Sequence, residues 1–239
     1  MARRLVVLAK HEPLGDEQTM NCHTFTFAGE TLHALSTGAL WWPAHSLLCV
    51  SDLHLGKTER IVRRSGQRLP PYETVETLTR LSEDLAATDA RTVICLGDSF
   101  DDLLAAESLS TKDQLWVSRL QAGRRWVWIE GNHDPGPIEF GGEHLRELVI
   151  SGITFRHIAA PDAQGEISGH YHPKVNLPTR GRTISRPAFL HDSRRLILPA
   201  YGTYTGGLRS DNTALTGLMG QDALAILTGP VPTCVPMPR

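Results

Sequence analysis

Aspartate, asparagine and histidine are the side chains of hard-metal and phosphoester chemistry, and here they gather in loops that follow apolar runs. Leu47-Leu-Cys-Val50 leads to Asp52-Leu-His54, and Val93-Ile-Cys-Leu96 leads to Gly97-Asp98-Ser-Phe-Asp101. Trp126-Val-Trp-Ile129 leads to Gly131-Asn132-His133-Asp134, and the run around Ile167 leads to Gly169-His170-Tyr-His172. Oxygen and imidazole donors without a thiolate suit Mn²⁺, Fe or Zn²⁺ better than a soft metal. A pair of such ions about 3.5–4 Å apart can activate a bridging water and neutralise phosphoryl oxygens. Each loop alone has an ordinary structural explanation. An Asp-x-His pair more often caps a strand end, and a lone Asn132 would be a turn residue. Their joint occurrence is what points to chemistry.

Just after the first loop come Lys57, Arg60, Arg63 and Arg64. On a helix, Arg60, Arg63 and Arg64 share a face. That face is a candidate to hold phosphates flanking a scissile one, and a merely solvated cationic face explains it equally well. No stacking platform for single-stranded bases stands out, because Trp126 and Trp128 read as residues of a core strand.

The elements that must position these loops follow from the hydrophobic pattern. Strands are expected at Thr24–Phe27, Thr31–Leu35, Leu40–Trp42, Ser46–Ser51, Thr92–Leu96 and Trp126–Glu130. Later ones are expected at Glu147–Ile150, Ile153–His157, Glu166–Ser168, Ala188–His191 and Arg195–Leu198. Val75, Leu78, Leu81 and Leu85 recur at helical spacing behind Pro70 and Pro71, and a further helix fits Thr111–Gln121. The order is βαβαβ and then mostly β. It predicts an α/β fold in which two sheets pack face to face with helices outside. Ligands of such folds bind beyond the carboxyl ends of the strands, which is where the polar loops fall.

Residues 1–19 read as an N-terminal extension, 20–228 as a single domain and 229–239 as a loosely held Pro-rich tail. A formal charge of −2 excludes the global basic surplus of a general nucleic-acid binder. The four cysteines lack C-x-x-C spacing, and Cys49 and Cys95 sit in apolar runs, as reduced core residues of a cytoplasmic protein do. No run of about 18 apolar residues is present to span a membrane.

The series D-x-H, G-D-x-x-D, G-N-H-D, a lone His and G-H-x-H resembles the calcineurin-like metallophosphoesterase superfamily, over residues 52–172. The resemblance implies an αββα sandwich holding two divalent ions. Asp52, His54, Asp98 and His172 would hold one; Asp98, Asn132, His157 and His170 would hold the other, with Asp98 as the bridge. His144 competes with His157 for the lone-histidine role. His157 is preferred because it closes a strand, whereas Glu143–Glu147 reads as a solvated turn or helix. His133 would face the scissile phosphate and protonate the leaving oxygen, and Asp101 would fix its tautomer. A non-catalytic scaffold would show degenerate ligands or loss of His133, and neither is the case.

Gly38-Ala-Leu-Trp-Trp-Pro43, Ser51-Asp-Leu-His-Leu-Gly-Lys57, Gly165-Glu-Ile-Ser-Gly-His-Tyr-His-Pro173 and Leu198-Pro-Ala-Tyr-Gly-Thr-Tyr-Thr-Gly-Gly-Leu208 resemble one bacterial branch, the ligase-associated DNA damage response endonucleases. That likeness implies Mn²⁺-dependent cleavage of phosphodiesters in single-stranded DNA, in repair, beside a DNA ligase, an exonuclease and a helicase. A homodimer is left open. The alternative substrate is a small nucleotide or other small phosphoester.

Overall fold

The computed structural model describes residues 20–66, 72–136 and 140–239. The expected extension at 1–19, and Pro70 and Pro71, lie outside the described residues. The first sheet opens with a hairpin, β1 (Cys22–Phe27) and β2 (Glu30–Leu35), joined through Ala28 and Gly29. Both turn residues take positive φ (50° and 85°), as the twist of a two-residue hairpin demands. β3 (Leu40–Trp42) and β4 (Leu47–Val50) continue antiparallel.

From β4 onward the sheet is parallel, so each return needs a crossover. α1 (Lys57–Ser65) and α2 (Glu73–Thr88) carry the chain to β5 (Thr92–Leu96). α3 (Leu103–Ser108) and α4 (Thr111–Gln121) carry it to β6 (Arg125–Ile129), and β7 (Glu143–Leu145) pairs parallel beside that. β4, β5 and β6 are buried on both faces, which is why they read as continuous apolar runs. Leu48, Val50, Val93, Cys95, Trp126 and Trp128 pack toward Leu78, Leu81 and Leu85 of α2 and Val117 of α4. Val75, expected on that same α2 face, is exposed instead, and Thr74 and Thr77 are buried.

The opposite faces, Cys49, Ile94, Leu96, Val127 and Ile129, pack on the second sheet through Phe155, Ile167, Phe189 and Ile226. That sheet contains β8 (Glu147–Ile150), β9 (Ile153–Arg156), β10 (Glu166–Ser168), β12 (Arg182–His191) and β13 (Arg195–Ile197), with β11 (Lys174–Thr179) paired to β12. α5 (Thr213–Leu218) covers its outer face, where Leu215 and Met219 meet Leu190 and Ala225. β14 (Leu224–Leu227) and β15 (Thr233–Pro236) complete the order β15-β14-β12-β13-β10-β9-β8. The layers are therefore helix, sheet, sheet, helix, the architecture expected from the sequence.

Two local expectations are corrected. Residues 143–147 form β7 and the start of β8, not a turn or helix. The tail is not loose: β15 pairs antiparallel with β14 and Met237 is buried. A Pro-rich segment can do this because β15 is an edge strand, where a missing N–H costs no ladder bond. Among the described residues, no helix is long and apolar enough to cross a membrane.

Candidate metal centre

The polar loops meet beyond the carboxyl ends of β4, β5, β6 and β10. Asp52, His54, Asp98, His170 and His172 all take left-handed backbone, with φ between 45° and 70°. That region is costly for residues with a side chain and tends to persist at functional sites. Asp52-Leu53-His54 and His170-Tyr171-His172 share the pattern of positive φ at their first and third residues. Main-chain bonds lock the loops together. Asp52 N–H donates to Gly97 O (3.2 Å), His54 N–H to Asp98 O (2.9 Å) and Gly202 N–H to Asp52 O (3.1 Å). Gly97, at φ +76°, permits the close approach of His157, since a Cβ there would lie 2.3 Å from the imidazole.

Among the described residues, three groups of side chains converge closely enough to hold an ion: Asp52, His54 and His172; Asp98, His157 and His170; and His54, Asp101 and His133. In the first, His172 Nε2 lies 3.0 Å from Asp52 Oδ1 and 3.5 Å from His54 Nε2. Asp52 Oδ1 is buried and faces ring nitrogens alone, with no main-chain or hydroxyl donor. A buried carboxylate oxygen so placed is costly, and a cation shared with those rings satisfies it.

The second group makes the same case through its donors. His157 Nδ1 lies 3.0 Å from Leu96 O and gives its proton to that carbonyl. Nε2 is then a lone pair, yet it faces Asn132 Oδ1 at 3.0 Å and Asp98 Oδ2 at 3.4 Å. His170 Nδ1 stands 3.3 Å from the same nitrogen. Acceptors crowded around a ring lone pair, with only the His170 ring nitrogen able to bring a proton, call for a positive charge. Without an ion, that charge would have to be a proton. Burial alone would depress the His157 imidazole, but the bond to Asp98 and the Asp52 and Asp98 charges raise it to about 9. Asp98 is held well below the usual carboxylate range, against its own burial, by His157 and His133.

The third group is closed to a cation. Arg60 Nη1 sits 2.8 Å from Asp101 Oδ2, and Lys57 Nζ 3.9 Å from Asp101 Oδ1. Burial would raise the Asp101 carboxyl, but its bonds to His54 and Arg60 bring it down to about 2. Asp101 meets His133 as expected, but through its main-chain carbonyl and not its carboxylate. Its carboxylate lies 2.9 Å from His54 Nδ1, so it orients His54 and leaves Nε2 of that ring for the centre. The partner of His133 is instead the main-chain carbonyl of Asp101, 2.8 Å from Nδ1. His133 Nε2 points toward Asp98 Oδ2 at 4.0 Å, and the side chain stays 29% exposed, so a substrate can reach it.

His157 lies in the second group, whereas His144 stacks by Trp128 on β7, with ring centroids 6.5 Å apart, and joins none of the groups. The calcineurin-like phosphoesterase family model matches residues 45–197, more than half of the chain and every loop of the centre. The chain belongs to the calcineurin-like phosphoesterase family. It is a hydrolase acting on phosphoester bonds. Among solved structures, this phosphoesterase is similar to the Pseudomonas putida nuclease MPE, with 29% identity and a TM-score of 0.72 over 89% of this chain and 100% of that one. The E. coli phosphoesterase Yfce matches at 12% identity and a TM-score of 0.39, over 80% of this chain and 99% of that one. No curated protein matches it.

The cations of the phosphoesterase's α1 are less free than the sequence suggests. Arg63 pairs with Glu59 (3.1 Å) and Asp102 (3.0 Å). Arg60 is drawn into the centre, where Nη1 also lies 3.3 Å from His133 Nδ1. Arg64 reaches only 3.9 Å from Asp102, and its side chain is the most exposed of the four, at 63%. The expected basic face is thus threaded by acids, one of them 39 residues away in sequence.

Asp134 was missed as a functional residue. It is buried and accepts main-chain N–H bonds from Asp98 (3.0 Å), Ser99 (2.8 Å), Phe100 (3.1 Å) and Gly131 (3.1 Å). It ties the Asp98 loop to the Asn132-His133 loop. Its place in Gly-Asn-His-Asp was the available signal.

Proposed function

We propose that the protein is a two-metal phosphodiesterase that cleaves single-stranded DNA, with Mn²⁺ as its metal. The observation that carries this reading is the pair of acceptor-rich ligand groups lying side by side, with the accessible His133 next to them. Similarity to a nuclease over 89% of the chain favours a nucleic acid over a small phosphoester. Asp52, His54 and His172 would hold one ion and Asn132, His157 and His170 the other, with Asp98 as the ligand that both would share. When bound, the ions supply Lewis-acid charge for the phosphoryl oxygens and a water acidic enough to attack at neutral pH.

The chain's own residues do the rest. Asp101 keeps the proton of His54 on Nδ1, away from the centre. The Asp101 carbonyl keeps the His133 proton on Nδ1 when the ring is neutral, and Nε2 of the protonated ring then donates to the leaving oxygen. Asp134 fixes the distance between Asp98 and His133 by clamping both loops. The repair setting, with a DNA ligase, an exonuclease and a helicase as neighbours, follows from the sequence resemblance and belongs to the same proposal.

A turnover panel tests it, comparing single-stranded DNA, duplex DNA, RNA, a phosphodiester dye and a phosphomonoester dye with Mn²⁺, Zn²⁺, Mg²⁺ and Fe²⁺. Highest kcat/KM on single-stranded DNA with Mn²⁺ is expected. Highest kcat/KM on a small ester, with DNA left intact, would contradict the nuclease assignment.

A further inference from the structure

Among the described residues, two cavities of similar size touch the centre, one at each ligand group. The first, about 600 Å³, opens at Asn132 and His157. Its cations are already matched: Arg156 pairs with Glu147 at 2.9 Å, and Arg146 lies 3.9 Å from Glu130. The second, about 560 Å³, opens at His172 and is walled by Arg80, Lys174, Tyr201, Tyr204 and Thr205, with no Asp or Glu in its lining. Lys174 Nζ donates to Thr205 O (3.0 Å), and Arg80 donates to Tyr201 O while lying 4.6 Å above the Tyr201 ring. Asp84, the acid on the same helix four residues on, is buried and accepts from Thr37 and Tyr201 instead of lining the cavity. Carbonyls satisfy a donor without cancelling its charge, so Lys174 is offered to an anion here beside Arg80, which the buried Asp84 offsets in part; the cations of the other cavity are matched within its own lining.

Tyr204 supplies what the sequence did not disclose. It is 49% exposed and sits at φ 61°, in the left-handed region. An aromatic held there is strained, and the surroundings impose it. Thr203 N–H donates to Thr77 Oγ1 (3.1 Å), Thr205 Oγ1 donates to Gly202 O (3.0 Å), and Lys174 holds the next carbonyl.

We propose that this cavity is the subsite for the nucleotide adjoining the scissile phosphate, with Tyr204 as the face on which its base stacks. Lys174 and Arg80 meet the neighbouring phosphate. The proposal rests on the nucleic-acid reading above. It also gives that reading a physical basis for strand preference, because a base within a duplex is already stacked and cannot turn its face to a tyrosine.

The test compares kcat/KM on a single-stranded oligonucleotide with kcat/KM on a small phosphodiester dye, for the wild type, Tyr204→Ala and Tyr204→Phe. The oligonucleotide-to-dye ratio should fall about ten-fold or more in Tyr204→Ala, through KM, and recover in Tyr204→Phe. Lys174→Gln should make the log–log salt dependence of oligonucleotide binding shallower by about 0.7. A wild type that cleaves the oligonucleotide, with a ratio unmoved by Tyr204→Ala or lost equally in Tyr204→Phe, overturns the subsite and leaves the nuclease reading standing. A wild type that turns over the dye and leaves the oligonucleotide intact overturns the nuclease reading, and the subsite with it.

Discussion

The seven-stranded sheet supplies Asp52, His54, Asp98 and Asn132 to the centre, whereas the eight-stranded sheet supplies His157, His170 and His172. Asp52, His54 and Asp98 of the first set are buried, and the set is braced within its own sheet, through Asp134 and the main-chain bonds between the β4 and β5 loops. The second set leans on groups of the first. His157 is held by Leu96 O, the His170 N–H by Asp52 Oδ2 at 2.9 Å, and His172 Nε2 faces Asp52 Oδ1. The oxygen donors are therefore preorganised, and the imidazoles are placed against them across the seam between the sheets. An ion bound there ties one sheet to the other.

The largest effect should come from removing the one residue of the first set proposed to serve both ions. Asp98→Ala should lose both ions and essentially all turnover, while far-ultraviolet circular dichroism stays native. A variant that retains two tightly bound ions by elemental analysis would show that the two ions do not share Asp98. Next in size is His133→Ala. It belongs to the first sheet's loops but lies off the ligand groups, so metal content should stay at the wild-type level while kcat falls about 10²–10⁴-fold. Near-normal kcat would remove His133 from the chemistry.

A smaller effect separates the second sheet's contribution. His157→Ala should deplete one ion of two, with His144→Ala close to wild type in both metal content and activity. The reverse would move the ligand onto β7. The smallest expected effect concerns the bracing. Arg60→Ala frees Asp101 Oδ2 and removes the cation beside His133, so it should lower kcat on DNA and on a phosphodiester dye alike, by about ten-fold. Loss on DNA alone would return Arg60 to a phosphate-tracking role.

Much of this was legible because parallel strands buried on both faces leave unbroken apolar runs, and the chain must turn polar where each run ends. The four polar loops and the two-sheet architecture follow from that pattern. What stayed hidden depends on pairings across long stretches of sequence. Asp102 neutralises Arg63 from 39 residues away, and no local pattern announces it. Asp101 stands at the spacing expected for a partner of His133, yet its carboxylate turns to His54, and only its carbonyl serves His133. The Pro-rich end looks like a tail until β14 offers it an edge. Tyr204 looks like any loop tyrosine until its backbone and its exposure are known.

Two ions should sit across the seam between the sheets. Anomalous scattering from crystals grown with Mn²⁺ measures this directly. Two peaks are expected, one bounded by Asp52, His54 and His172, the other by Asn132, His157 and His170, with Asp98 reaching both. A single peak, or a peak at His54, Asp101 and His133 in place of Arg60, would contradict it.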